Sequence, residues 1–121
     1  MKTGLIAAAG LFDLLAALFH LGFWRIFRWP KTLAGAGRLN AATAQVLNIM
    51  LTYVFVLMGM GLLWFGAATP AFPLLAGAGF FAFRACLQPL FYGLMHPASK
   101  AIFALALLGA LLHAIPALIS A

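Results

Sequence analysis

Four apolar stretches, each close to the roughly 20 residues a helix needs to cross hydrocarbon, divide this chain, and only three short breaks part them. Of its 121 residues, 67% are hydrophobic and 7% are charged. Soluble domains run near 45–50% apolar and about 25% charged. A soluble fold of this size keeps much of its surface in water and cannot hide such an excess. Lipid as the solvent removes the conflict. The sequence therefore predicts an all-α integral membrane protein, a single transmembrane domain over residues 1–121 whose first partner is the lipid bilayer. Short connections favour an antiparallel, up-down-up-down four-helix bundle.

Span one is predicted over about residues 4–27 and ends in WRIFRWPK, where aromatic and basic residues mix as they do at a membrane interface. Pro30 and the glycines of LAGAGR make the first loop. Span two covers about 40–68 and is broken by TPAFP, because Pro70 and Pro73 both oppose continuation. Span three covers about 72–95, HPASK is the third turn with Ser99 a candidate N-cap, and span four covers about 100–120. The opening MKTGLIAAAG has the look of a signal peptide. Asp13 interrupts that run, however, and the apolar pattern continues to Trp24, so it is read as a retained first span.

The formal net charge is +6 and Asp13 is the only acid. Nucleic-acid binding would need a basic patch on a polar fold; here Arg25, Arg28, Lys31 and Arg38 cluster between two apolar runs. Loops one and three hold these four and Lys100, while the opposite side holds Lys2. The positive-inside rule puts both loops in the cytoplasm and both termini outside it. Cys86 is alone, which excludes an intrachain disulfide.

Arg84 lies inside the run FFAFRACLQPLFYGL. At 1.5 Å per residue it sits about 18 Å from the outer end of span three, and Asp13 about 13 Å from the same end of span one. Unpaired charges at such depth are costly, so an Asp13–Arg84 ion pair is expected. The Ala85 carbonyl, which Pro89 leaves without its helical bond, is a further acceptor for the guanidinium. The other polar residues recur at helical spacing: Asp13 and His20 on span one; Gln45, Asn48 and Thr52 on span two; Arg84 and Gln88 on span three. Asp13, Arg84, His20, Gln45, Asn48 and Gln88 are expected to converge on one buried site that binds substrate. The plainer reading is that such groups only tie membrane helices together, at about 0.6 kcal/mol each. The glycines of GMG (59–61) and AGAG (76–79) allow close backbone approach.

Three histidines raise haem or metal. His113 lies about 20 Å up span four from its cytoplasmic end, roughly 10–15 Å above His20, a poor match for opposed ligands of one haem. A His20–His96 metal pair lacks carboxylate or thiolate support. No cofactor and no catalytic residue is predicted, since neither Cys86 nor the serines stand beside a base. Small multidrug transporters are similar in size, in having four spans and in an acid on the first helix. Their acid is a glutamate, and their other motifs are absent here. Fluoride channels are similar in size, and Phe80, Phe81 and Phe83 stand without a matching pore motif. HLGFWRIFRWPKTL, NAATAQVLNIMLTYVF and FRACLQPLFYGL resemble small four-span bacterial inner-membrane proteins of unknown function. That resemblance implies inner-membrane location and bundle architecture, and carries over no site residue. The leading expectation is binding or passage of a small polar or ionic solute, with a homo-oligomer expected because one bundle leaves little room for a path. The alternatives are a non-catalytic scaffold or accessory subunit with a membrane-protein partner and, third, a haem- or metal-binding redox protein or membrane enzyme.

Overall fold

The structure, a computed structural model, describes residues 1–119. The predicted end of span four at residue 120 lies outside the described residues. The helices are α1 (Lys2–Leu21), the short α2 (Phe23–Ile26), α3 (Arg38–Phe65), α4 (Ala71–Phe91) and α5 (Pro97–Ile119), with 3₁₀ turns at Lys31–Ala36 and Gly66–Ala68. Leucine and alanine dominate their interiors and lose little freedom on becoming helical.

Breaks fall where backbone chemistry demands them. Gly66 (φ 50°) and Gly93 (φ 68°) turn the chain after α3 and α4 in a region L side chains rarely adopt. Pro70 precedes α4 in an extended conformation. Pro97 opens α5, where its missing N–H costs nothing. The Nδ1 atom of His96 accepts the Ala98 N–H at 3.1 Å, so His96 caps this helix. Ser99, the expected cap, lies inside the first turn instead.

Span one departs from expectation at its end. The helix stops at Leu21, and Gly22 leads into α2. Trp29 explains the turn: its ring meets Phe23, Trp24 and Phe27 at centroid distances of 5.6, 5.6 and 6.2 Å, folding the loop back on the helix end.

α1 packs along α3 and α5, and α5 packs along α4. Touching pairs such as Gly10–Gly59 and His20–Asn48, or Gly77–His113 and Gln88–Ser99, rise in number on one helix as they fall on the other, so these neighbours are antiparallel. The α1–α3 seam is tight: a Cβ on Gly10 would stand 2.9 Å from the Gly59 carbonyl oxygen, and one on Gly59 would stand 2.7 Å from that of Gly10. Gly59 thus fulfils the expectation for GMG, whereas Gly61 faces open space. The fourth side of the bundle differs. α3 and α4 pack together far less closely than the other neighbours; Phe55 bridges them, stacked on Phe81 at 5.8 Å and edge-on to Phe80 at 5.6 Å.

Two apolar clusters fill the interior. Ile6, Ala9, Leu62, Leu74 and Ala117 occupy the end nearer the chain termini, and Ala17, Phe55 and Phe81 the middle. The outside is apolar as well: Trp64, Phe83 and Leu15 are 83%, 67% and 64% exposed. Four of the helices are long and apolar enough to cross a membrane. By length and composition the chain reads as an integral membrane protein, an all-α four-helix bundle.

Candidate functional site

Asp13, at the middle of α1, is wholly buried and points at α5. Its Oδ2 lies 3.1 Å from Nε2 of His113, which is also 0% exposed. The expected pair with Arg84 does not form. Arg84 is half-buried at the rim of α4, with its guanidinium carbon 5.7 Å from the centroid of the Tyr92 ring, two turns nearer the helix end. It borders a shallow recess of about 270 Å³ with Leu87, Phe91 and Tyr92. The Ala85 carbonyl is not among its partners. Side-chain length explains the split. Arginine reaches along the helix toward the interface and keeps a π face as partner. A carboxylate one methylene from the backbone cannot reach out and must be met inside.

Several features hold His113 in place. Its Nδ1 lies 2.8 Å from the Gly109 carbonyl one turn back. Phe81 lies against the ring at 5.4 Å. Gly77 of α4 faces it so closely that an added Cβ would fall within the imidazole. The Gly77 half of the AGAG expectation is therefore met by a side chain rather than by another backbone, and Gly79 faces open space.

Hydrogen-bond directions then constrain the proton count. A carbonyl only accepts, so Nδ1 of His113 carries a hydrogen and donates it to Gly109 O. A 3.1 Å contact between Nε2 and Asp13 Oδ2 needs one more proton between them. Either imidazolium donates to carboxylate, or the carboxylic acid donates to neutral imidazole. Both forms are neutral overall, and they differ by the position of one proton. The second carboxyl oxygen, Oδ1, is buried without a hydrogen-bond partner.

The other expected residues do not join this pair. His20 donates from Nδ1 to Asn48 Oδ1 at 2.7 Å, and Asn48 Nδ2 donates back to His20 O at 2.8 Å. The Thr52 hydroxyl donates to Asn48 O. Gln45 accepts from Trp24 Nε1 at 3.0 Å. Gln88 donates to the Ser99 hydroxyl at 2.8 Å, and that hydroxyl donates to Gly93 O. The expected single site is thus a set of separate seam contacts: α1 with α5, α1 or α2 with α3, and α4 with α5. Asp13, His20, Gln45 and Gln88 each took a partner from a neighbouring element, and Thr52 took one on its own helix, since hydrocarbon offers none. His96 is exposed at the α4–α5 turn, capping its helix, and the structure does not bring His20 to it. Among the described residues, no three His, Cys, Asp or Glu side chains gather to hold a metal ion.

His113 is the functional candidate that sequence reasoning passed over. A signal existed. Asp13, about 13 Å from one end, stands about 17 Å from the other face of a ~30 Å hydrocarbon core. That is within one helical turn of the height counted for His113. Comparing His113 only with His20, as haem ligands, hid the match. No family model, curated protein or solved structure matches this chain.

Proposed function

We propose that the protein binds and passes a small ionic or polar solute across a membrane, with the Asp13–His113 pair as its binding centre. One observation carries this reading: the chain's sole acid is wholly buried between helices against a histidine, and one of its oxygens is left without a donor. Ionisable groups at such depth are costly and mark ion and proton pathways. The basic residues of the α1–α3 and α4–α5 connections favour a cytoplasmic location for that end, and a bacterial inner membrane suits the chain's makeup. The apolar outer faces leave room for a homo-oligomer.

The test is flux. Purified protein in liposomes is loaded with ion-sensitive dyes, and wild type is compared with Asp13→Asn. Loss of flux in a variant that stays monodisperse supports the reading. Equal permeability of protein-free, wild-type and Asp13→Asn liposomes to every solute tried removes it. One observation favours a second reading, that of a scaffold subunit: His20 with Asn48, Trp24 with Gln45, and Gln88 with Ser99 are seam ties that need no cargo. Copurification of the native protein with a fixed membrane partner, together with silent liposomes, would favour that reading.

A further inference from the structure

We infer that the cargo is the proton, and that the stacked rings of Phe55 and Phe81 are a dry gate between two proton-accepting stations, His20 on one side and the Asp13–His113 pair on the other. The inference rests on the reading of Asp13–His113 as a binding centre and adds the cargo and the barrier. It begins from an unbroken series of ring contacts through the bundle. His20 lies 5.4 Å from Phe55, Phe55 lies 5.8 Å from Phe81 with planes 15° apart, and Phe81 lies 5.4 Å from His113. A histidine thus stands at each end of two apolar rings, and His20 is about 10 Å along α1 from Asp13.

Each station has an open acceptor. Nδ1 of His20 donates to Asn48 Oδ1, so in the neutral ring Nε2 is the basic nitrogen. Oδ1 of Asp13 is the orphan on the far side. The rings between them carry no group able to hold or relay a proton. Together with Ala17, and with Phe12 and Leu51 packed around, they make a buried apolar layer. Such layers stop ions by excluding water and open by wetting.

The groups facing each station decide the cargo. Around His20 stand Asn48 and Phe55 of α3, Phe19 and Phe23 of its own end, and the positive charge of Arg84 on α4, which acts on it at a distance. Around His113 stand Asp13 of α1, Gly77 and Phe81 of α4, and the Gly109 carbonyl. No second acid exists in the chain. A metal cation would find one carboxylate and no third His, Cys or acid among the described residues, while a proton needs only a lone pair.

The transfer balances without redox chemistry. A proton adds to Nε2 of His20, and when water enters between the rings it passes to the Asp13–His113 pair. The pair then holds two transferable protons and a charge of one. Release of one of them toward the opposite end restores the neutral pair. Toward that end stands the apolar cluster of Ile6, Leu62, Leu74 and Ala117, which a released proton passes only when it too is wetted.

The experiment uses the full chain in liposomes containing a pH dye, with a potassium gradient and valinomycin driving proton entry. Phe81→Ala and the milder Phe55→Leu are expected to raise proton flux by about tenfold or more, as a wetted constriction conducts better. Adding Asp13→Asn to either should return flux to the protein-free level, and His20→Gln should lower wild-type flux. Replacing sodium by choline should leave all rates unchanged. Flux that depends on Asp13 but is indifferent to both phenylalanine variants would overturn the gate. Asp13-dependent flux of another ion, with none of protons, would overturn the cargo. Both outcomes spare the reading of Asp13–His113 as a binding centre. Absence of Asp13-dependent flux of any solute, from every variant including Phe55→Leu, overturns that reading and the gate together.

Discussion

Two ionisable side chains, Asp13 and Arg84, start from comparable depths in α1 and α4 and end in opposite situations. The carboxylate is wholly enclosed and meets an imidazole of α5. The guanidinium sits at the rim of α4 against Tyr92, at the mouth of a shallow recess. Depth measured at Cα therefore does not set the dielectric a charge experiences. A long, flexible side chain carries its charge toward the interface and buries only its stem. A short one leaves its charge where the backbone put it, and the bundle must then supply a partner. The first arrangement is tolerance of a charge; the second is a built site.

The sharpest way to break this contrast is to remove the enclosed partner. His113→Leu leaves the Asp13 carboxyl facing apolar atoms and should lower bundle stability by about 3 kcal/mol, read by reversible unfolding in mixed micelles. A loss below that of Arg84→Gln would mean that the pair is not a built site. Next comes Gly77→Ala, whose new methyl must displace the His113 ring. A cost of about 2 kcal/mol is expected, with disturbance of the His113 ring resonances by NMR. Unchanged resonances would refute the tight fit of that seam.

The contrast sharpens further in paired substitutions. Asp13→Asn with His113→Leu should be non-additive by about 1 kcal/mol or more, whereas Asp13→Asn with Arg84→Gln should add within about 0.5 kcal/mol. A strong Asp13–Arg84 coupling would restore the ion pair expected from the sequence. Asn48→Leu should cost about 1 kcal/mol, because it strips His20 of two hydrogen bonds. Arg84→Gln should change stability least of all, by under about 0.5 kcal/mol, since the wild-type charge has only a contact with an exposed ring to lose.

Much of the architecture was open to inspection before any tertiary contact was known. Pro70 separates α3 from α4 as expected, because its backbone restriction acts locally, whereas α4 ends at Phe91, ahead of the expected 95, and Pro97 opens α5 inside the segment expected to be a turn. GMG and AGAG offer four glycines equally suited to close approach; Gly59 meets a backbone and Gly77 a side chain, whereas Gly61 and Gly79 face open space. The polar stripe was correctly read as pointing inward for Asp13, Asn48, Thr52 and Gln88. It was wrongly read as converging.

Four apolar helices, their order, the basic end and the heights of their polar groups follow from residue order alone, because hydropathy, charge and helical rise are properties of a linear string. Which height-matched groups would meet was a matter for the tertiary structure alone. Asp13, Arg84 and His113 all fall within about a turn or two of one level. The choice among them rests on how each helix is rotated and which neighbour it packs on. α1 lies along α5, so the carboxylate found His113; Arg84 lies at the edge of the face that α4 turns inward, so it reached outward instead. Rotation of that kind is set by small residues such as Gly77 letting one particular side chain in, a fit that exists only when both helices are present.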